Sequence, residues 1–132
     1  MTPVLIDEPI GFPSEYLRYF DLFNAGEYFE AHEVLEDLWV VEVGPVRNYY
    51  KGLIMVAVAI LHWQRGNGSA ARRLYRDGHA YLRVFPAEYE GFALGEFLAA
   101  LERLFAPLMT PAPPSAPDAR LIPRIVLRPP ER

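Results

Sequence analysis

The chain of 132 residues contains no cysteine, and this absence excludes both disulfide bonds and thiolate metal sites. Lysine is almost absent as well, because Lys51 is the only lysine among 13 basic residues. An excess of positive charge is also missing. The net charge of −4 argues against general binding to nucleic acid, which needs a basic surface. We therefore expect no nucleic-acid partner.

Long hydrophobic runs are missing too. The longest, residues 53–61, is far shorter than the roughly 20 residues needed to span a bilayer. Residues 1–13 have no basic region, and Asp7 and Glu8 interrupt their short apolar run, so they do not resemble a signal peptide. These absences predict a soluble, cytoplasmic protein with no membrane partner.

Several sequence motifs of enzymes are absent. The chain has no glycine-rich phosphate loop, no dinucleotide-binding fingerprint and no serine in a nucleophile elbow. The pair His32 and Glu33 begins like a zincin helix, but the second histidine of that motif would stand where Glu36 is found. The residues therefore assign no reaction, and they leave open whether the protein is an enzyme.

Apolar side chains are abundant, at 52% of the residues, which is enough for one hydrophobic core. They recur at helical spacing and show no convincing strand pattern, so the sequence predicts an all-α fold, an antiparallel bundle of about five helices. The predicted helices are residues 14–24, 27–43, 45–65, 69–85 and 91–105. Ser14 and Ser69 are predicted to cap the first and fourth helices, and Pro45 fits the first position of the third.

The predicted domain is residues 1–106, followed by a proline-rich, extended tail, residues 107–132. The tail holds eight of the 13 prolines, which exclude a packed helix there. Within it, residues 121–127 are apolar enough to lie as an extended strap across the bundle, although they could equally be disordered or cover a neighbouring subunit. Residues 1–13 are predicted to form an extended lead-in.

The third predicted helix is apolar on nearly every side, so we expect it to be the buried, central helix. The short turn before it brings the second helix alongside in the antiparallel direction. Counted outward from this turn, Glu36 lies level with about Leu53, and His32 with about Ala57.

The second predicted helix carries polar groups where a core would be expected. At about 100° per residue, one sector of about 100° contains, in angular order, Tyr28, Trp39, His32, Glu36 and Phe29. His32 and Glu36 are four residues apart and are therefore neighbours on the helix surface. We expect both to be at least mostly buried against residues 53–57, with Lys51 able to reach Glu36.

Residues 23–39 closely resemble the signature of the domain of unknown function family 309. The motif of that family is His, three residues, Glu, two residues and Trp, which falls here on His32, Glu36 and Trp39. A second segment, within residues 51–67, also looks like part of the family. The resemblance implies a helical bundle with a binding pocket around the motif, and it implies no established activity.

Two functional hypotheses follow. In the first, a small, partly apolar pocket binds a small polar ligand, or acts on it by general acid–base chemistry; the residues predicted to line it are Tyr28, His32, Glu36, Trp39 and Lys51. In the second, the protein is a non-enzymatic interaction or scaffold module, and the same residues hold the bundle together. A cavity beside His32 would favour the first hypothesis, and complete packing around it the second. A homo-oligomer is compatible with both.

No metal or cofactor is predicted. His32 and Glu36 supply one imidazole and one carboxylate, whereas catalytic zinc sites usually use three protein ligands. Further ligands would have to come from Glu33, Asn24 or His62, which are poorly placed. His62 should lie about 8 Å along the helix axis from His32. We therefore expect any metal at His32 to be adventitious or weak.

Overall fold

Helices dominate the computed structural model, which describes residues 11–128. Five α-helices follow one another: α1 (Ser14–Asn24), α2 (Tyr28–Val41), α3 (Val46–Gln64), α4 (Gly68–Leu82) and α5 (Leu94–Phe105). Over residues 11–128 no strand forms, and an isolated bridge joins Tyr89 to Phe92. The predicted all-α bundle of five helices is confirmed. Residues 1–10 of the predicted lead-in lie outside the described residues.

The helix starts differ in detail from the predicted ones. The sequence predicts Ser14 as the cap of α1, but Ser14 is the first helical residue, preceded by Pro13 in an extended conformation. It also predicts Ser69 as the cap of α4, yet the Asn67 side-chain oxygen accepts the capping hydrogen bond, from the Ala70 N–H at 3.2 Å. Asparagine caps a helix at least as well as serine, which explains why α4 begins earlier than predicted.

The central helix, α3, contacts α2 on one side and α4 on the other. The end of α2 lies beside the start of α3, since Trp39 of α2 contacts Arg47 and Lys51 of α3. The two helices are therefore antiparallel, as the short turn between them predicts. None of the helices in the described part of the chain is long and apolar enough to cross a membrane.

Two glycines, Gly52 and Gly78, allow α3 and α4 to approach each other closely. A methyl group at Gly52 would lie 2.6 Å from Leu82 Cγ and 3.1 Å from the Gly78 carbonyl oxygen. A methyl group at Gly78 would lie 3.1 Å from Met55 Cβ and 3.2 Å from the Gly52 carbonyl oxygen. The absence of a side chain at both positions therefore sets the distance between these helices.

Buried tyrosines tie α1 to α3 and to the segment between α4 and α5. Tyr16 donates a hydrogen bond to the Glu90 carbonyl oxygen at 2.8 Å, and Tyr49 in turn donates to the Tyr16 hydroxyl at 2.6 Å. Tyr19 donates to the Leu53 carbonyl oxygen at 2.6 Å. Burial disfavours the charged phenolate, so the pKa values of Tyr16, Tyr19 and Tyr49 lie well above the ordinary value.

The segment after α5 contains two short 3-10 helices, Ala106–Met109 and Ala119–Leu121. The prediction that no packed helix forms after residue 106 therefore needs a correction. Pro107 stands in the first turn of the first of them, where its missing N–H is not needed. A side chain of α4 holds this turn, because the Arg72 guanidinium donates two hydrogen bonds to the Leu108 carbonyl oxygen, at 3.0 and 3.2 Å.

Candidate functional site

The turn between α1 and α2 sets the direction of the helix that carries the motif. Gly26 ends α1 with φ = +79°, a left-handed conformation that favours glycine at this position. Beyond it, α2 packs against both α1 and α3. The side chains that α2 buries are Tyr28, Ala31 and Leu35.

His32 and Glu36 do not lie on this buried face. His32 is half-buried and Glu36 is exposed, so the prediction that both are mostly buried is wrong. The buried face contains Ala31 and Leu35, and each motif residue lies one position, or about 100°, further round the helix. Burying a carboxylate without a partner is costly, which is consistent with the position of Glu36 in solvent.

An outer stripe of α2 consists of Phe29, Glu33, Glu36 and Val40, which follow one another at intervals of three or four residues. All four side chains are exposed, Phe29 to 44% and Val40 to 64%. No lysine or arginine occurs in residues 24–46. The outer stripe is therefore acidic in the middle and apolar at both ends.

The His32 ring is oriented by its own helix. His32 Nδ1 lies 2.6 Å from the Phe29 carbonyl oxygen, and the two rings pack edge to face with centroids 5.1 Å apart. Because a carbonyl oxygen can only accept, Nδ1 is the donor in this hydrogen bond. Across residues 11–128, Glu36 has no hydrogen bond to His32, to Lys51 or to a tyrosine. The expected hydrogen bond of Glu36 is not formed.

Trp39 is half-buried and lies beneath two cations of α3. Arg47 Cζ lies 4.0 Å and Lys51 Nζ 4.7 Å from the centroid of the indole ring, within the range of a cation–π interaction. Lys51 therefore lies over Trp39 instead of pairing with Glu36. The indole Nε1–H is buried and has no acceptor in the part of the chain that the structure describes. Sequence reasoning missed Arg47, although its spacing of four residues from Lys51 places both on one face of α3.

Tyr28 lies at the other end of α2. Its ring packs edge to face on Phe23, with centroids 5.2 Å apart, and burial raises its pKa. Tyr28 lines a cavity of about 310 Å³ together with Gln64 and with side chains from residues 23–26 and 119–124. The other four predicted site residues do not line this cavity. The structure thus brings Trp39 and Lys51 together and places Tyr28 on a cavity that neither of them lines.

The further candidate ligands for a metal at His32 are Glu33, Asn24 and His62. Among residues 11–128, no three His, Asp or Glu side chains come close enough to share an ion. Asn24 is engaged elsewhere, because its amide both donates to and accepts from the Ile125 backbone, each at 2.7 Å. His79 lies 3.0 Å from Glu102 and joins α4 to α5. The absence of a metal cofactor stays a prediction.

The helix surface around His32 and Glu36 is open to solvent. General acid–base catalysis requires a substrate held within hydrogen-bonding reach of the catalytic group. His32 stands on a partly exposed helix surface, and Glu36 projects into solvent beside it. An open, acidic helix face flanked by a cation-covered tryptophan is a surface that another molecule can contact.

Similarity to other proteins covers this region. A family whose description is "Domain of unknown function (DUF309)" has a model that matches residues 16–74. The chain is 31% identical over 106 residues to "Uncharacterized protein YpuF" of Bacillus subtilis (strain 168), covering 75% of this chain and 59% of that protein. It is 29% identical over 83 residues to an "Uncharacterized protein" of Aquifex aeolicus (strain VF5), covering 62% of this chain and 25% of that protein. The chain thus spans less than two thirds of either relative, and no solved structure matches it significantly.

Proposed function

Residues 16–74 belong to the family described as Domain of unknown function (DUF309), and from this premise we propose that they form a non-enzymatic protein-interaction module. Its contact surface is the outer stripe of α2. The observation that carries the proposal is the position of Glu36, a residue of the family motif, in solvent at the middle of this stripe.

Apolar side chains at the end of α2 support the same surface. Val40 is 64% exposed, and Phe29 at the other end of the outer stripe is 44% exposed. Burial of such side chains against a partner stabilises a complex by about 25 cal/mol for each Å² of apolar surface removed from water. These exposed side chains would therefore stabilise a complex, whereas they contribute little to the stability of the free domain.

The partner that fits this surface is a basic, amphipathic helix of another protein. The middle of the outer stripe presents two exposed carboxylates, Glu33 and Glu36. The two apolar ends of the outer stripe are about 16 Å apart at 1.5 Å per residue, which is about three helical turns. A helix with apolar side chains at this separation and basic side chains between them matches the stripe in charge and in spacing.

Binding of a synthetic helix tests this proposal. The probe is a fluorescent peptide of about 18 residues, made of leucine and lysine in an amphipathic pattern. We expect the full chain to bind it, with an affinity that falls as salt is added. The double variant Glu33→Gln with Glu36→Gln should bind about tenfold more weakly in fluorescence anisotropy, because it removes the two carboxylates of the outer stripe.

The matched control removes the same two charges from another side of α2. Glu30→Gln with Asp37→Asn should change the affinity by less than about threefold. An equal loss in both double variants would mean that net charge alone attracts the peptide and would overturn the assignment. A dimer of the free chain that dissociates in Val40→Asp, seen by sedimentation, would assign the outer stripe to a second copy instead.

A small polar ligand beside Trp39 is the second candidate. It is favoured by the buried indole N–H that lacks an acceptor and by the two cations, Arg47 and Lys51, over the same ring. A buried donor without a partner costs about 1–3 kcal/mol, which an oxygen atom of a bound ligand would recover. On this hypothesis the ligand is anionic or strongly polar.

His32→Ala distinguishes an architectural histidine from one that contacts a ligand. We expect the free energy of unfolding to change by less than about 1 kcal/mol, because the ring is half-buried and makes one hydrogen bond to a carbonyl of its own helix. Thermal shift with and without a ligand library is the measurement. A ligand that stabilises the native chain but not His32→Ala would show that His32 contacts a ligand. A loss of about 2 kcal/mol or more would instead make His32 part of the architecture.

A further inference from the structure

A second surface with a different chemistry lies between α5 and the last described residues, 123–128. Here a groove of about 600 Å³ opens along one side of α5. Its floor contains Phe92, Phe97 and Ile125, all of which are buried. The volume falls in the range of sites that bind small molecules.

The rim of this groove is strongly basic. Three arginines line it, Arg103 on α5 and Arg124 and Arg128 in the segment after it, against one carboxylate, Glu96. In the described part of the chain, neither Arg103 nor Arg124 has a carboxylate within 4.0 Å. Arg128 has an exposed one, Glu88, at 3.7 Å. Arginine stays charged at any physiological pH, so within residues 11–128 the three arginines outnumber the two carboxylates beside them, Glu96 and Glu88.

Hydrogen bonds hold both ends of the groove in place. At one end, the Asn24 amide holds the Ile125 backbone through two bonds of 2.7 Å. At the other, the Arg128 N–H donates to the Gly91 carbonyl oxygen at 2.8 Å. These hydrogen bonds therefore fix the segment that forms one side of the groove. The wall formed by α5 presents the small side chains Ala99 and Ala100, which leave the space open.

We propose that this groove binds a small amphiphilic anion, with its carboxylate or phosphate group among the three arginines and its apolar body over Phe92, Phe97 and Ile125. The planar guanidinium group matches both of these anions through paired N–H donors. The basic rim and the apolar floor line the same cavity, so one ligand can contact both. The proposal is independent of the outer stripe of α2.

Calorimetric titration of the full chain with octyl phosphate and with octanoate tests the site. We expect both to bind, whereas octanol and inorganic phosphate, which each keep one half of the chemistry, should bind about tenfold more weakly or not at all. Arg103→Gln with Arg124→Gln should weaken octyl phosphate binding by about tenfold or more. Ala100→Leu, which fills the groove without altering its charge, should weaken it as well.

The matched control is Arg73→Gln with Arg76→Gln, which removes two exposed charges from α4 and should leave the affinity within about twofold. Circular dichroism checks that each variant is folded. An equal loss in the control pair, or octanol binding as tightly as octyl phosphate, would overturn the proposal. Binding to vesicles of phosphatidylglycerol without binding of octyl phosphate would also overturn it, since the arginines would then contact a lipid surface and not a free ligand.

Discussion

Adding a single methyl group at Gly52 is expected to lower the free energy of unfolding by about 2 kcal/mol. The new Cβ would lie 2.6 Å from Leu82 Cγ and 3.1 Å from the Gly78 carbonyl oxygen, so α3 and α4 would have to move apart. Overpacking of this kind costs about 1–3 kcal/mol, and here the upper part of the range applies because a backbone atom is also involved. The higher helix propensity of alanine offsets up to about 1 kcal/mol. Urea denaturation of Gly52→Ala measures the net effect.

Gly44→Ala is the matched control for this experiment. A methyl group there meets nothing nearer than Glu42 Oε1, at 4.0 Å, so stability should stay the same or rise by about 0.4–1 kcal/mol. In addition, Leu82→Ala should cost less in the Gly52→Ala background than in the native chain, because it removes the atoms that clash. Equal stabilities of Gly52→Ala and Gly44→Ala would show that the contact between α3 and α4 is not close.

The fold could be predicted from the sequence because helical spacing of apolar residues is a local signal. The unbroken apolar run of residues 53–61 marks α3 as the central helix, and the short turn before it makes α2 antiparallel. The family resemblance, drawn from residues 23–39, is likewise confirmed by a match over residues 16–74. Helix caps were harder to predict, because Asn67 and Ser69 both have suitable side chains and only the observed turn decides between them.

The candidate site was less predictable, because the buried side of a helix depends on where its neighbours lie. On α2 the sector with three aromatic rings was predicted to be the core face, but of these rings only Tyr28 is buried, together with Ala31 and Leu35. Ala31 gives a weak signal in the sequence because its side chain is small. The partners of Tyr28 and Trp39 come from distant positions, including residues 119–124 and Arg47, and local spacing cannot reveal them.

Alkaline pH is expected to destabilise the domain steeply. Burial raises the pKa values of Tyr16, Tyr19 and Tyr49 well above the ordinary value of 10.0, and raises that of Tyr50 to about 12. Up to about pH 10 these hydroxyls are protonated in both the folded and the unfolded chain, so stability does not depend on them. Above about pH 10 the unfolded chain loses these protons while the folded domain retains them, and the free energy of unfolding falls.

The expected slope follows from the number of buried hydroxyls. Each contributes about 1.4 kcal/mol per pH unit, so Tyr16, Tyr19 and Tyr49 together give about 4 kcal/mol per pH unit. Since small domains have about 5–15 kcal/mol of stability, the chain should unfold cooperatively within a few pH units above pH 10. Urea denaturation at a series of pH values, together with the ultraviolet absorbance of tyrosinate, measures this slope.

Two phenylalanine variants show whether the buried hydroxyls cause the effect. Tyr19→Phe should reduce the slope by about 1.4 kcal/mol per pH unit, because one proton fewer is released on unfolding. It should also lower stability at neutral pH by about 1 kcal/mol, since the hydrogen bond to the Leu53 carbonyl is lost. Tyr81→Phe, at an exposed position of α4, should leave the slope unchanged. If the tyrosinate absorbance rose gradually near pH 10 while the circular dichroism stayed native, the hydroxyls would be accessible to solvent and the predicted coupling between ionisation and unfolding would be wrong.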